Sequence, residues 1–300
     1  MYIIKIGNKL LFILGGIMFD VASLSNLLLY TTTRIVAKLP DDSESIGTGF
    51  FFNYKINENL FLPVIITNKH VINNAVEGEF FFHEALFEDN KKKPSKNSFS
   101  FKIKGFKNYW IEFVNDIDLC ALPLEILIKQ AKLQNKEIFY APFAENLVPS
   151  NNTLEELSAI EDVKMVGYPI GLWDDTNNFP ILRSGITATH PAIDFQGKPT
   201  GVIDMAAFPG SSGSPILILN QGSYTKGTNV VIGSRAYLIG ILFAGPQLSI
   251  HGDIQIRDIP TSQIPFSEMN IPVHLGYYVK AGVLLENKQH IFDVLNIVKR

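Results

Sequence analysis

Phe208-Pro209-Gly210-Ser211-Ser212-Gly213-Ser214-Pro215 decides how this 300-residue chain is read. A tight glycine turn can aim two backbone N–H groups at one point, which a bulkier segment could not do. A serine hydroxyl at that point is a poor nucleophile at neutral pH unless an imidazole takes its proton and a carboxylate holds the imidazole in one tautomer. Both partners lie upstream, in Thr67-Asn68-Lys69-His70-Val71 and in Asn115-Asp116-Ile117-Asp118-Leu119-Cys120-Ala121-Leu122. Each segment alone has a plainer reading. A Gly/Ser string is usually a turn or linker, a histidine ending an apolar run is usually a satisfied core residue, and an aspartate opening one is usually a solvated strand end. Their order along the chain, His then Asp then Ser, makes them candidate catalytic residues: His70 as base, Asp116 or Asp118 as its carboxylate, and Ser212 as nucleophile. The N–H groups of Gly210 and Ser212 are the natural oxyanion donors.

Gly210-Ser211-Ser212-Gly213-Ser214-Pro215 resembles the nucleophile loop of the trypsin-like (chymotrypsin-fold) serine peptidases, with Ser212 in the nucleophile's place. Ile65-Ile66-Thr67-Asn68-Lys69-His70-Val71 is similar to the strand and turn that carry that family's histidine, and its Thr-Asn-x-His-Val wording stands nearest to the bacterial HtrA-like branch. Asp118-Leu119-Cys120-Ala121-Leu122-Pro123-Leu124 resembles the strand that opens with the family's aspartate, which favours Asp118 over a solvated Asp116. Leu238-Ile239-Gly240-Ile241-Leu242-Phe243-Ala244-Gly245 resembles the strand lining the substrate cleft, and Gly276-Tyr277-Tyr278-Val279-Lys280 the last barrel strand. The resemblance implies a serine endopeptidase working through an acyl-enzyme on Ser212, with a polypeptide as substrate. It implies no cofactor, no metal and no nucleic acid.

It also implies an all-β fold of two six-stranded antiparallel barrels. The patterning agrees, since short runs rich in β-branched and aromatic residues alternate with turn-rich or charged segments. In the first block these are Thr33–Leu39, Gly49–Tyr54, Leu60–Thr67, Gly78–Phe82, Ser98–Phe106 and Asp118–Leu122. In the second they are Val163–Gly167, Ile181–Thr189, Val202–Ala206, Pro215–Leu219, Ala236–Phe243 and Gly276–Ala281. Expected boundaries are an N-terminal segment with a short helix over 1–30, a first lobe over 31–125, a connection over 126–161 and a second lobe over 162–300. Thr153 and Glu156 have the spacing of a capping box for a short helix in the connection. Ile291, Leu295 and Val298 have the spacing of a terminal amphipathic helix packed on the second barrel. The chain leaves no room for a PDZ module after the last strand.

A hydrophobic content of 46% over this length suffices for a sizeable core, and a net charge of -3 offers nothing to a polyanion. Lys91-Lys92-Lys93 reads as a solvated loop tip. The single cysteine, Cys120, precludes an intramolecular disulfide and reads as a small buried hydrophobe. Lys5 and Lys9 precede the apolar run Leu10–Phe19, with Val21-Ala22-Ser23 as a candidate cleavage site, the elements of a signal or anchor over residues 5–23. Asp20 and an alternative start at Met18 argue instead for a cytoplasmic chain.

Departures from the family pattern carry further expectations. Trypsin-type zymogens have an aspartate just before the nucleophile, and here Ser211 stands there, so activation by a new N-terminus is not expected. Trypsins that cut after Lys or Arg carry an aspartate six residues before the nucleophile, where this chain has Ala206. That implies a small or apolar residue before the cut, in a pocket formed by Ala206, Phe243, Ala244, Gly245 and Gly276. Trp173-Asp174-Asp175-Thr176-Asn177-Asn178 lacks the alternating ligands of a calcium loop, and His83, His190, His251, His274 and His290 have no zinc spacing. The runner-up reading is a latent or inactive double barrel used as a binding scaffold, or one switched on by a protein partner. A serine esterase of the α/β-hydrolase class would need Gly-x-Ser-x-Gly, alternating helices and the order Ser, Asp, His, none of which is present.

Overall fold

In the computed structural model the described residues are 2–6, 9–14, 17–19, 24–88, 91–253, 266–272 and 274–297, with side chains described over 24–88, 91–246 and 274–297. Strands dominate both lobes. The first lobe contains β1 (Thr32–Lys38), β2 (Glu44–Lys55), β3 (Phe61–Thr67), β4 (Glu77–Glu88), β5 (Lys91–Lys104), β6 (Ile111–Glu112) and β7 (Cys120–Pro123). Two strands of two residues, β8 (Ile138–Phe139) and β9 (Phe143–Ala144), come from the connecting segment and join the same sheet. The nine strands pair in the order β8-β4-β1-β2-β3-β7-β6, with β5 on β4 and β9 parallel to β2. The expected first barrel therefore takes the form of a sheet whose ladder does not close.

The second lobe does close. β10 (Asp162–Gly167), β11 (Ile181–Thr187), β12 (Thr200–Asp204), β13 (Pro215–Asn220), β14 (Arg235–Ala244) and β15 (Gly276–Lys280) form one barrel in the order β10-β11-β12-β15-β14-β13. Gly-Phe-Phe-Phe-Asn-Tyr in β2 explains how the lobes are joined, because successive side chains of a strand point to opposite faces. Phe51 faces a core inside the first sheet with Ile35, Ile65, Phe80 and Leu122. Phe50, Phe52 and Tyr54 face a second core shared with Val166, Leu217, Ile241 and Val279 of the barrel.

Several expectations change in detail. Within residues 1–30 the helix is Leu24–Leu27, preceded by a three-stranded antiparallel sheet of Tyr2–Ile6, Lys9–Leu14 and Ile17–Phe19. Asp20 and Val21-Ala22-Ser23 lie outside the described residues. Among the described residues no helix is long and apolar enough to cross a membrane. Lys91-Lys92-Lys93 is not a loop tip but opens β5, paired with Glu88, Phe87 and Leu86. The helix in the connection is Asn151–Glu155, and its cap is Ser150, which accepts the Thr153 N–H at 3.2 Å. The Thr153/Glu156 box is thus set three residues late. A nine-residue helix, α1 (Glu125–Leu133), follows β7 directly and was not expected.

The terminal helix, α2 (Lys288–Val294), contributes Ile291 and Phe292 to the shared core and reaches the first lobe rather than resting on the barrel alone. Phe292 meets Tyr54 edge-on at 6.4 Å, and Asn287 Oδ1 accepts the Val114 N–H at 2.9 Å. Val298 lies outside the described residues. Cys120 is fully buried on β7, and burial pushes its thiol well above the usual range.

His83, on β4, is buried against Tyr30 (4.7 Å) and Phe179 (5.4 Å) with its Nε2 unpartnered. Burial pushes its pKa down to about 4, partly opposed by a backbone hydrogen bond at Asn178. The unfolded chain takes up this proton near pH 6.5 and the folded chain refuses it until about 4, so stability is lost as pH falls through that window. The loss expected between pH 6.5 and pH 4.5 is about 2–3 kcal/mol. Urea midpoints at the two pH values should show it in the parent and should show it largely removed in His83→Leu.

Candidate active site

β3 ends at Thr67, and Asn68 turns the chain into the single helical turn Lys69–Ile72 that carries His70. Val71 and Ile72 are buried beneath it, which fixes the turn and leaves the His70 ring half-exposed at the surface. Asp118 lies just before β7, whose Cys120 pairs with Thr67 of β3, so the sheet register itself brings the carboxylate alongside the histidine. Asn68 Nδ2 donates to the Asp118 carbonyl at 2.8 Å, and the His70 N–H donates to Asp118 Oδ1 at 3.2 Å. The other carboxylate oxygen, Oδ2, is 2.6 Å from His70 Nδ1. On the far side of the ring, His70 Nε2 is 2.8 Å from Ser212 Oγ. Asp116 is exposed with a positive φ of 57° and takes no part.

An unbroken hydrogen-bonded chain thus runs Asp118, His70, Ser212 across the junction of the two lobes. With a carboxylate on Nδ1, the imidazole keeps a proton there and presents Nε2 as an acceptor to the serine hydroxyl.

The loop over residues 208–214 that carries Ser212 precedes β13 and is held by backbone hydrogen bonds within itself and to β14. The Ser211 N–H donates to the Phe208 carbonyl at 3.0 Å, that of Gly213 to Leu242 at 2.9 Å, and that of Ser214 to Ser211 at 3.0 Å. Among the described residues the N–H groups of Gly210 and Ser212 have no acceptor, which leaves both free to meet an incoming one. Gly210 adopts φ +87°, and a Cβ there would stand 2.4 Å from the Tyr168 carbonyl. Only glycine fits that approach.

One residue at this site escaped the sequence reading. Thr48, buried in β2, donates its hydroxyl to the Gly210 carbonyl at 2.9 Å and its N–H to the Ser212 carbonyl at 2.8 Å. Its hydroxyl also accepts from the Tyr168 N–H at 3.2 Å and from the Ser214 hydroxyl at 3.2 Å. The first lobe therefore grips the loop around Ser212 through one residue, by its hydroxyl and by its backbone N–H. The available signal was a lone polar residue between Gly47 and Gly49 at the head of an apolar run.

The five residues expected to line a pocket have the following surroundings. Gly245 lies beside Ala207, whose Cβ is 2.5 Å from where a side chain on Gly245 would begin. Gly276 backs onto Leu242 and Ile203, and Phe243 stacks obliquely on Tyr277 at 6.4 Å. Ala244, between Phe243 and Gly245, is the last residue of β14. Ala206 is buried, and its carbonyl accepts Arg183 Nη1 at 2.6 Å, with the guanidinium 5.3 Å over the Phe208 ring. The strand pair Gln247–Asp253 and Phe266–Pro272 occupies part of the insertion between Gly245 and Gly276.

A family model described as trypsin-like peptidase domain matches residues 47–225. No curated protein matches the chain. Among solved structures it is similar to the active form of the Rv3671c protease from M. tuberculosis, at 14% identity over 88% of this chain and 81% of that one, with a TM-score of 0.41. It is also similar to the protease Anisep from Arthrobacter nicotinovorans, at 11% identity over 86% of this chain and 94% of that one, with a TM-score of 0.42.

Proposed function

The chain belongs to the trypsin-like peptidase domain family, and from that premise we propose that it is a serine endopeptidase with His70, Asp118 and Ser212 as its triad. The observation that carries this reading is the hydrogen-bonded chain from Asp118 through His70 to Ser212, facing two unspent N–H groups. Ser212 Oγ attacks the scissile carbonyl while its proton passes to His70 Nε2, and the carbonyl electrons collect on an oxyanion facing the N–H groups of Gly210 and Ser212. Collapse expels the amine, which takes the proton from His70, and leaves an ester on Ser212. Water, deprotonated by His70, then releases the acid and restores the hydroxyl.

The proposed preference is for a small or apolar residue before the cut. Ala206 offers no carboxylate to a basic side chain, and the Arg183 guanidinium bound to the Ala206 carbonyl would meet such a side chain as a like charge.

Intact-mass labelling with a fluorophosphonate tests the reading. A single adduct on the parent that is absent from Ser212→Ala is expected. A folded parent that takes no adduct would overturn the reading of an active peptidase in favour of a latent or dead site, one switched on by a protein partner or used as a binding scaffold. A peptide-library profile dominated by Lys or Arg before the cut would overturn the preference alone.

A further inference from the structure

Arg34 lies outside the triad and outside the substrate pocket, yet it sits on the same row of side chains as Thr48. In the β1–β2 ladder Arg34 is paired with Thr48. In the β1–β4 ladder Ile35 is paired with Phe80, which makes Phe81 the next neighbour of Arg34. Thr48, Arg34 and Phe81 therefore form one line across three adjacent strands, facing the second lobe. Thr48 takes the nucleophile loop, and Arg34 and Phe81 take the turn that follows β10. The Arg34 guanidinium lies 5.4 Å from the ring centres of both Phe81 and Trp173, and those two rings meet edge-on at 4.9 Å. Its Nη2 lies 3.6 Å from where a Cβ on Gly171 would stand. Glu44 and Glu79 lie near enough to compensate its charge.

The turn so held, Tyr168 to Trp173, is strained. Ile170 has φ +48°, which is a genuine outlier for a β-branched residue, and 69% of it is exposed, so packing of its own side chain does not hold it there. Strained backbone of this kind persists only where its surroundings over-determine it. The Ile170 N–H donates to the Pro209 carbonyl, one residue before the oxyanion donor Gly210, and the Tyr168 carbonyl abuts the Gly210 Cα. Contacts thus run without a gap from Arg34 through Trp173 and Gly171 to Ile170, Pro209 and Gly210.

We propose that Arg34 is a positioning residue for the oxyanion donors: by clamping Trp173 onto the first lobe it holds the strained turn at Ile170, which in turn sets the Gly210 N–H. The inference rests on the peptidase reading for its kinetic consequence, though not for its structural one. A planar guanidinium can cover both rings at once, whereas the compact ammonium of lysine cannot. Losing the clamp should weaken stabilisation of the tetrahedral state while leaving ground-state binding nearly intact.

The test compares the parent with Arg34→Ala, Arg34→Lys and Trp173→Leu, the last removing the other half of the clamp if Arg34→Ala does not fold. Expected for Arg34→Ala is a ten- to hundredfold loss of kcat and of fluorophosphonate labelling rate, with KM within about twofold and only partial recovery in Arg34→Lys. Hydrogen exchange should accelerate together over 168–173 and 208–214 and stay unchanged over 181–187. Unaltered exchange in both segments, or an unaltered labelling rate in folded Arg34→Ala, would overturn the positioning role. A parent that takes no probe would sink the peptidase reading, while the exchange data would still decide the clamp.

Discussion

Ser212→Ala and His70→Ala are each expected to lower kcat by about a million-fold, and the double variant by no more than either alone. The non-additivity follows from the geometry. With Nε2 of His70 at 2.8 Å from Ser212 Oγ and Nδ1 at 2.6 Å from Asp118 Oδ2, the three groups would, on the proposed reading, move one proton as a unit, and removing either end would leave the others without work. The residual activity should reflect the Gly210 and Ser212 N–H groups and substrate binding alone. Asp118→Asn should cost about ten-thousand-fold, because an amide at that position imposes the wrong tautomer on the imidazole. None of these changes removes buried apolar surface, since His70 is half-exposed and Asp118 a third exposed. Urea midpoints of Ser212→Ala and His70→Ala should therefore stay close to that of the parent, within about 0.5 kcal/mol. A loss of less than a hundredfold in Ser212→Ala would mean that another group carries the attack. Ser211, the adjacent hydroxyl, is fully buried and could not serve without rearrangement of the loop.

The sequence singles out His70, Asp118 and Ser212 as candidates because chemistry restricts which residue types could do such work and glycines mark the turn that would present them, and the fold brings the three side chains into hydrogen-bonding reach. The second barrel was legible too. Its strands are short runs rich in β-branched and other apolar residues set off by turn-rich segments, and the six expected runs fall within a few residues of β10 to β15. What stayed hidden depends on contacts between distant segments. Ile138–Phe139 and Phe143–Ala144 are too short to show a period of two, and they become strands only because β4 and β2 offer them unpaired edges. Thr48 reads as one more hydroxyl in an extended run until the second lobe places Gly210, Tyr168 and Ser214 around it. The docking of α2 on Tyr54 follows from the face that Phe292 presents, and helical spacing identifies that face without naming its partner. Arg34 looks like a solvated strand charge because its two aromatic neighbours come from positions 81 and 173.

Gly213→Ala is expected to be the most damaging single-methyl change in the chain, costing about 4 kcal/mol or more of stability and at least a hundredfold in kcat. Gly213 sits at φ +86°, where an L residue is already strained, and a Cβ there would lie 2.0 Å from the Thr48 carbonyl oxygen and 2.6 Å from Thr67 Oγ1. Neither neighbour can yield. The Thr48 carbonyl is backbone in the middle of β2 and already accepts the Thr67 hydroxyl at 2.8 Å, while the Gly213 N–H is held by the Leu242 carbonyl at 2.9 Å. Relief must come by lifting the nucleophile loop away from β2, which breaks the Thr48 N–H to Ser212 bond and moves both oxyanion donors off their target. For a chain of this size the stability loss corresponds to a fall in Tm on the order of 10 °C. Gly222→Ala separates strain from collision, because Gly222 has nearly the same dihedral, φ +89°, with nothing within 4 Å. It should cost only about 1 kcal/mol and leave kcat unchanged. Equal losses in the two variants would show that backbone strain alone accounts for the glycine at 213 and that Thr48 does not press on the loop. A large excess in Gly213→Ala, with labelling of Ser212 lost in step with kcat, is the outcome that the close packing of β2 on the nucleophile loop requires.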